Sequence, residues 1–280
     1  MVPPGIEKKL RALFSLLDDE DETVAVSAMK ELLTQEEYLP SFLARLQDET
    51  EPLLRRRCHQ LQVVLTMRRR RREFFRKLQN PYVDTLDGLS ALHLQWFDND
   101  SLPQLEHIWL EFVGETRKYP LTSLEELAYF MRKCNFLAQP ESTLTPEHYC
   151  LGTVLEKRIG AASFLLVLLR AVSALRPLTL GRVLGDFVLQ DGQGRLLLPL
   201  RNWQIVQSRD GAGEFEKWDF RKFLGFASLN LFSAAVNGDS FRYVLTIAQA
   251  LCGTNSDEVL DLLPYPYCPA EDGEQEERYS

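Results

Sequence analysis

The feature that most constrains this chain is an apolar run, Ala161 to Leu169, followed a few residues later by an abrupt change of hydrophobic period. Arg170 breaks the run, which is too short to cross a bilayer, a task for about 20 apolar residues. A helix apolar on every side belongs inside a folded core. It is expected to extend from about Ala162 to Leu175, with Pro177 as its stop. Before it the apolar spacing is helical; after it come short apolar segments flanking glycine-containing turns. That division predicts an α+β chain, a helical N-terminal half and then a buried helix on a small antiparallel sheet.

The first 80 residues read as helices, with Leu10, Leu13, Phe14 and Leu17 on one face and Val24, Ala28 and Leu32 on the next. A weak repeat at an offset of 29 aligns Leu17-Asp18-Asp19 with Leu46-Gln47-Asp48, Val24 with Leu53, Met29 with Cys58 and Leu32 with Leu61. It resembles HEAT-type repeats, in which an aspartate in the inter-helix turn caps the second helix. Stacked repeats need about three units, so a helical arm is expected rather than a solenoid. Helical spacing continues from Thr85 to Phe136, and after a loop from Ala138 to Pro146 a further helix is expected over 147–157.

Beyond Pro177, the segments Arg182–Gln190 and Arg195–Leu200 flank Asp191-Gly192-Gln193-Gly194 and predict a hairpin. Trp203–Gln207 and Glu214–Trp218 flank Asp210-Gly211-Ala212-Gly213 and predict a second. Helices return at 220–236 and 240–252. A proline-rich and acidic stretch follows and is expected to be a frayed tail. The domain reading is therefore a HEAT-like arm over 1–80, a mixed domain over 81–255 and a tail over 256–280. Among 280 residues, 45% are hydrophobic and 26% charged, an ordinary globular balance. Five separated cysteines without a CxxC pair, and an N-terminus without a secretory pattern, favour a reducing, cytoplasmic compartment.

Cys150-Leu151-Gly152-Thr153-Val154-Leu155-Glu156-Lys157-Arg158-Ile159-Gly160 is similar to the LxxVLExRxG motif of the SirB-type branch of the transglutaminase-like superfamily. Asn135-Phe136 falls where that family has Gly-Phe, Gly185-Asp186-Phe187 where it has Gly-His-Phe, and Leu198-Pro199-Leu200 where it has Asp-Pro-Phe. The resemblance covers residues 85 to 207 and implies a papain-like transglutaminase core. In that fold a cysteine at the start of the buried helix is activated by the helix dipole and a histidine, which an aspartate orients. The matching positions here are Ala162 (within Ala161–Ser163), Asp186 and Leu198, so all three catalytic side chains are missing. The resemblance thus implies a scaffold without its chemistry, a noncatalytic protein acting through contacts with a protein partner.

Two other readings carry specific residues. Ser163 could replace the nucleophile of a diverged hydrolase or peptidase-like enzyme, with Asp186 as base or with Cys150 as an alternative thiol. The run Arg68-Arg69-Arg70-Arg71-Arg72, with Arg55 to Arg57 upstream, could contact a polyanion such as nucleic acid. Against this stand the net charge of −8 and an acidic 1–51 segment able to neutralise the run. His148 with Cys150 reads as a loop histidine and a small buried side chain, and Cys58-His59 as helix neighbours pointing apart. His93 and His107 lie on separate helical stretches. Glu156 and Arg158 are expected to fix the start of the buried helix rather than to do chemistry. No metal site, phosphate loop or cofactor is expected.

Overall fold

The computed structural model describes residues 3–45, 51–207, 214–238 and 240–252. The chain forms two compact units divided between Arg70 and Arg71, inside a long helix, whereas the sequence reading ends the arm at residue 80. The first unit holds α1 (Pro4–Ser15), α2 (Glu22–Leu33), α3 (Leu39–Leu43) and the beginning of α4 (Pro52–Gln79). Leu10, Leu17, Ala28, Leu32, Phe42 and Leu61 are buried in it. The Asp21 carboxylate accepts from the Thr23 amide at 2.8 Å and caps α2. Asp19, the repeat counterpart of Asp48, accepts from the Asp21 amide at 2.9 Å, and Asp48 lies outside the described residues.

The second unit begins with three capped helices: α5 (Thr85–Trp96), α6 (Leu102–Thr116) and α7 (Leu124–Lys133). Asp84, Ser101 and Ser123 supply the N-caps, the last in a reciprocal capping box with Glu126. Two short parallel strands follow, β1 (Leu137–Gln139) and β2 (Ile159–Ala161), with α8 (Leu151–Lys157) between them. β1 lies where the sequence suggests loop. The helix expected over 147–157 starts only at Leu151, because Pro146–Tyr149 forms a 3-10 turn closed by Thr145 and His148.

The buried helix α9 (Ala162–Val172) is covered on all sides from Ala162 to Leu169. It ends three residues sooner than the sequence suggests, and Pro177 is not its stop. At Ser173 the backbone turns extended, and the amides of Ala174 and Leu175 donate to the Leu121 carbonyl at 3.0 and 3.2 Å. The Ser173 hydroxyl donates to the same oxygen at 3.3 Å.

The sheet has the order β6-β5-β4-β3-β7, with every pairing antiparallel. Its strands are β3 (Leu178–Val183), β4 (Asp186–Asp191), β5 (Arg195–Leu198), β6 (Gln204–Gln207) and β7 (Glu216–Lys217). The Asp191–Gly194 hairpin forms between β4 and β5, fixed by the Asp191 carboxylate accepting from the amides of Gln193 and Arg195. Two other expectations fail. Arg182–Gln190 is two strands, folded back at Leu184-Gly185, where both residues have positive φ (51° and 94°). The second hairpin does not exist: β6 pairs with β5 while β7 pairs with β3, at opposite edges of the sheet. The intervening Asp210–Gly213 lies outside the described residues. Helices α10 (Phe220–Asn237) and α11 (Phe241–Cys252) complete the unit; the predicted tail is outside the described residues. The architecture is α+β.

Leu180, Leu189 and Leu197 are fully buried in the core that also holds α9. They mark the sheet face turned toward that helix.

Candidate functional site

The Val154–Gly160 segment builds a frame around the start of α9. Val154 and Leu155 are buried, while Glu156 is exposed. Arg158 ends α8 in the left-handed region (φ 58°), and its carbonyl accepts from the Leu137 amide at 2.8 Å. Its guanidinium pairs with Glu115 at 2.7 Å and lies 4.7 Å from the Phe136 ring centroid. Arg158 is thus tied to Glu115 on α6. A Cβ on Gly160 would meet Val154 at 2.9 Å, so only glycine lets β2 approach α8 this closely. Asn135, where the resembled family has glycine, has φ of 58°, a region asparagine tolerates better than most residues.

Ala162 and Ser163 occupy the first turn of α9 and are buried. The helix N-cap is Ala161, which has no side chain able to accept from the first-turn amides. The Tyr149 hydroxyl, from the 3-10 turn before α8, lies beside Ser163, and Tyr149 is 2% exposed. The Tyr149 hydroxyl has no well-formed hydrogen bond, and burial pushes its pKa far above the usual tyrosine value.

Arg182 lies on the sheet face turned toward α9. Its guanidinium carbon stands 4.8, 5.7 and 5.9 Å from the ring centroids of Phe187, Trp218 and Phe226. Its Nε donates to the Gly185 carbonyl at 2.9 Å, and a terminal nitrogen donates to Glu141 at 3.3 Å. Phe226 also meets the Tyr149 ring edge-on at 6.4 Å. Glu216, the strand partner of Arg182, is taken up by Lys222. That bond, followed by contact with the Trp218 indole, holds the Glu216 carboxyl below its ordinary value. Two cations and two carboxylates thus balance over an aromatic floor.

The three positions implied by the resemblance are not brought together. Ala162 starts α9, but strand alternation puts Asp186 and Leu198 on the other sheet face from Arg182, Phe187 and Leu189. Asp186 is exposed at the head of β4, so it is no base for Ser163. The Cys150 thiol is buried, donates to the Pro146 carbonyl at 3.2 Å and is pushed far up by burial. His148 accepts from the Thr145 amide at 3.0 Å instead of facing Cys150, and burial lowers its pKa. His93 is buried and bonds Asp100 at 2.8 Å, whereas His107 approaches Glu111 on the exposed side of α6. Cys58 sits half-buried on α4, with its thiol raised by burial to about 11. Among the described residues no three His, Cys, Asp or Glu side chains are grouped to hold a metal ion. No described helix is long and apolar enough to cross a membrane.

The arginine run is not one exposed surface. Arg68 donates to the Leu33 carbonyl at 3.3 Å and approaches Glu36 at 3.7 Å, and Arg71 is buried. Upstream, Arg57 donates to the carbonyls of Leu17 and Asp19.

No protein-family model, curated protein or solved structure matches the chain. Sequence reasoning missed Tyr149, Arg182, Glu141 and Trp218. The available signal was weak: an arginine opening an apolar segment, and a tyrosine masked by its neighbours His148 and Cys150.

Proposed function

We propose that this chain is a noncatalytic protein of the SirB-type, transglutaminase-like kind that acts through contacts with a protein partner. One observation carries the reading: Asp186, the base offered for Ser163, is exposed at the head of β4, on the other sheet face from Arg182, Phe187 and Leu189. The hydroxyl beside Ser163 is that of the buried Tyr149, and a serine needs an adjacent base to be activated. Asp186, on the opposite sheet face, cannot supply one. The framing contacts of Arg158 and Gly160 support a scaffold kept for shape. The inward-turned Arg57 and Arg68 favour a protein over a nucleic-acid partner. The four described cysteines are free thiols, which supports a cytoplasmic setting for that work.

The test is a panel of amide, ester and glutamine-amine exchange substrates offered to the native chain and to Ser163→Ala. Turnover at background for both is expected. Product release that disappears in Ser163→Ala overturns the noncatalytic reading. Retention of RNA or DNA on filters at low ionic strength, declining steeply with salt, overturns the choice of partner.

A further inference from the structure

We propose that the start of α9, beneath the Arg182–Glu141 pair, is a binding site for a single carboxylate group, which displaces Glu141 from Arg182 and accepts from the Tyr149 hydroxyl. The proposal rests on the noncatalytic reading in one respect: the carboxylate is held, not transformed.

The donors converge from three elements. Tyr149 is 98% covered, and its hydroxyl, which faces Ser163, makes no well-formed bond. Beside it stand the Ser163 hydroxyl and the first-turn amides of an 11-residue helix that has no side-chain cap. These amides and the helix dipole favour negative charge. The third donor, Arg182, is packed among Phe187, Trp218 and Phe226, and a terminal nitrogen reaches Glu141. The Trp218 indole N–H, buried and turned to Glu216 without a well-formed bond, lies at the same place. The side chains of Tyr149, Ser163, Arg182 and Trp218 all bring donors to this place, the two hydroxyls being able to accept as well.

Charge decides the ligand class. Arg182 and Lys222 stand against Glu141 and Glu216, and Lys222 already satisfies Glu216. Exchanging the Glu141 carboxylate for one from outside keeps the site neutral. A phosphate dianion would leave it negative inside an aromatic wall, at a desolvation cost. Glu141 is suited to leave: its side chain is 60% exposed, and its contact with Arg182, at 3.3 Å, is long for a charge-assisted bond. Behind this outer pair, Tyr149 and Ser163 are only 2% exposed each.

The experiment follows the Trp218 indole N–H resonance of the full chain during titration with three probes. N-acetylphenylalanine presents a chain-terminal carboxylate, N-acetylglutamate amide capped at both ends presents a side-chain carboxylate, and N-acetylphenylalaninamide is the neutral control. Both acids should shift the resonance saturably, the tighter one identifying the source, while the amide does not. Glu141→Gln should tighten binding about tenfold by removing the internal competitor. In that background, Tyr149→Phe and Arg182→Lys should each weaken it at least fivefold, with Ser163→Ala as a second probe if either variant unfolds. Equal response to acid and amide, or indifference to Glu141→Gln and Tyr149→Phe, overturns the proposal. Hydrolysis of the amide probe, read in the same tube, would instead overturn the noncatalytic reading and leave carboxylate binding to be judged by the titration.

Discussion

Arg182 and Phe187 stand directly opposite each other across the β3–β4 hairpin, and the guanidinium carbon lies 4.8 Å from the phenyl centroid. Sheet pairing, not loop placement, puts the cation over the ring, and Trp218 and Phe226 close the other sides. Arg182→Met keeps the stem and removes the charge. It should cost about 1–2 kcal/mol in urea unfolding, the range of a partly desolvated cation–π contact. Arg182→Lys should fall between the two, because an ammonium does not stack as a planar guanidinium does.

Gly160 gives a second prediction, on packing. A methyl there would meet Val154 at 2.9 Å and Leu165 at 3.2 Å, both in the fully buried core. Gly160→Ala should destabilise the protein by about 1–3 kcal/mol through overpacking. Combining it with Val154→Ala should cost less than the sum of the two single changes, since the second removes the obstructing methyls. Additive costs would place the strain elsewhere.

Acid sensitivity should concentrate at the β4–β5 hairpin. Burial alone would raise the Asp191 carboxyl, but the Arg195 amide and guanidinium and the Gln193 amide outweigh it, and the net shift is downward. A carboxyl lowered by folding stabilises the native state above its unfolded pKa, near 3.9, and loses that contribution as pH falls through the folded value. Asp191→Asn should therefore cost about 1.5–3 kcal/mol near neutrality, as removal of a charge-assisted network does. The gap between native chain and variant should stay flat above about pH 5 and close below pH 4. Stability curves measured from pH 2 to 8 check this.

The cysteines should react in a set order. Among the described cysteines, Cys252 is exposed and should be alkylated first in the native protein. Cys58, raised to about 11, holds only about a thousandth of its molecules as thiolate at pH 8. Cys134 is also raised, by burial first and then by Glu115. Cys150 should stay unmodified until the chain unfolds, since it is fully buried and its thiol donates to a backbone carbonyl. Mass spectrometry of the native and urea-unfolded chain after timed alkylation reads the order directly.

What could be read from the residues followed from periodicity. The long helical stretches, the buried α9 and the Asp191–Gly194 hairpin each carry a local signature, in apolar spacing or turn chemistry. The Leu184-Gly185 reversal was missed because its tip is an 85% exposed leucine, which sits in an apolar run as if it belonged to a strand. The false hairpin of β6 with β7 arose because a glycine-rich turn specifies a reversal but not a partner; β5 and β3 had open edges to offer. The candidate site was half legible. Ser163 stood out by its place at the head of an apolar helix. Its true neighbours come from a 3-10 turn and from the third and fourth strand segments, whose shared face depends on a register that Leu184 obscured.

The Leu121 carbonyl that receives Ser173, Ala174 and Leu175 sits more than fifty residues upstream of them. A synthetic fragment covering 150–178 would keep every letter of the apolar helix and lack the acceptor that tells it where to finish. Such a peptide should fray at its far end however hydrophobic it is, so the length of this helix is a property of tertiary closure rather than of local composition.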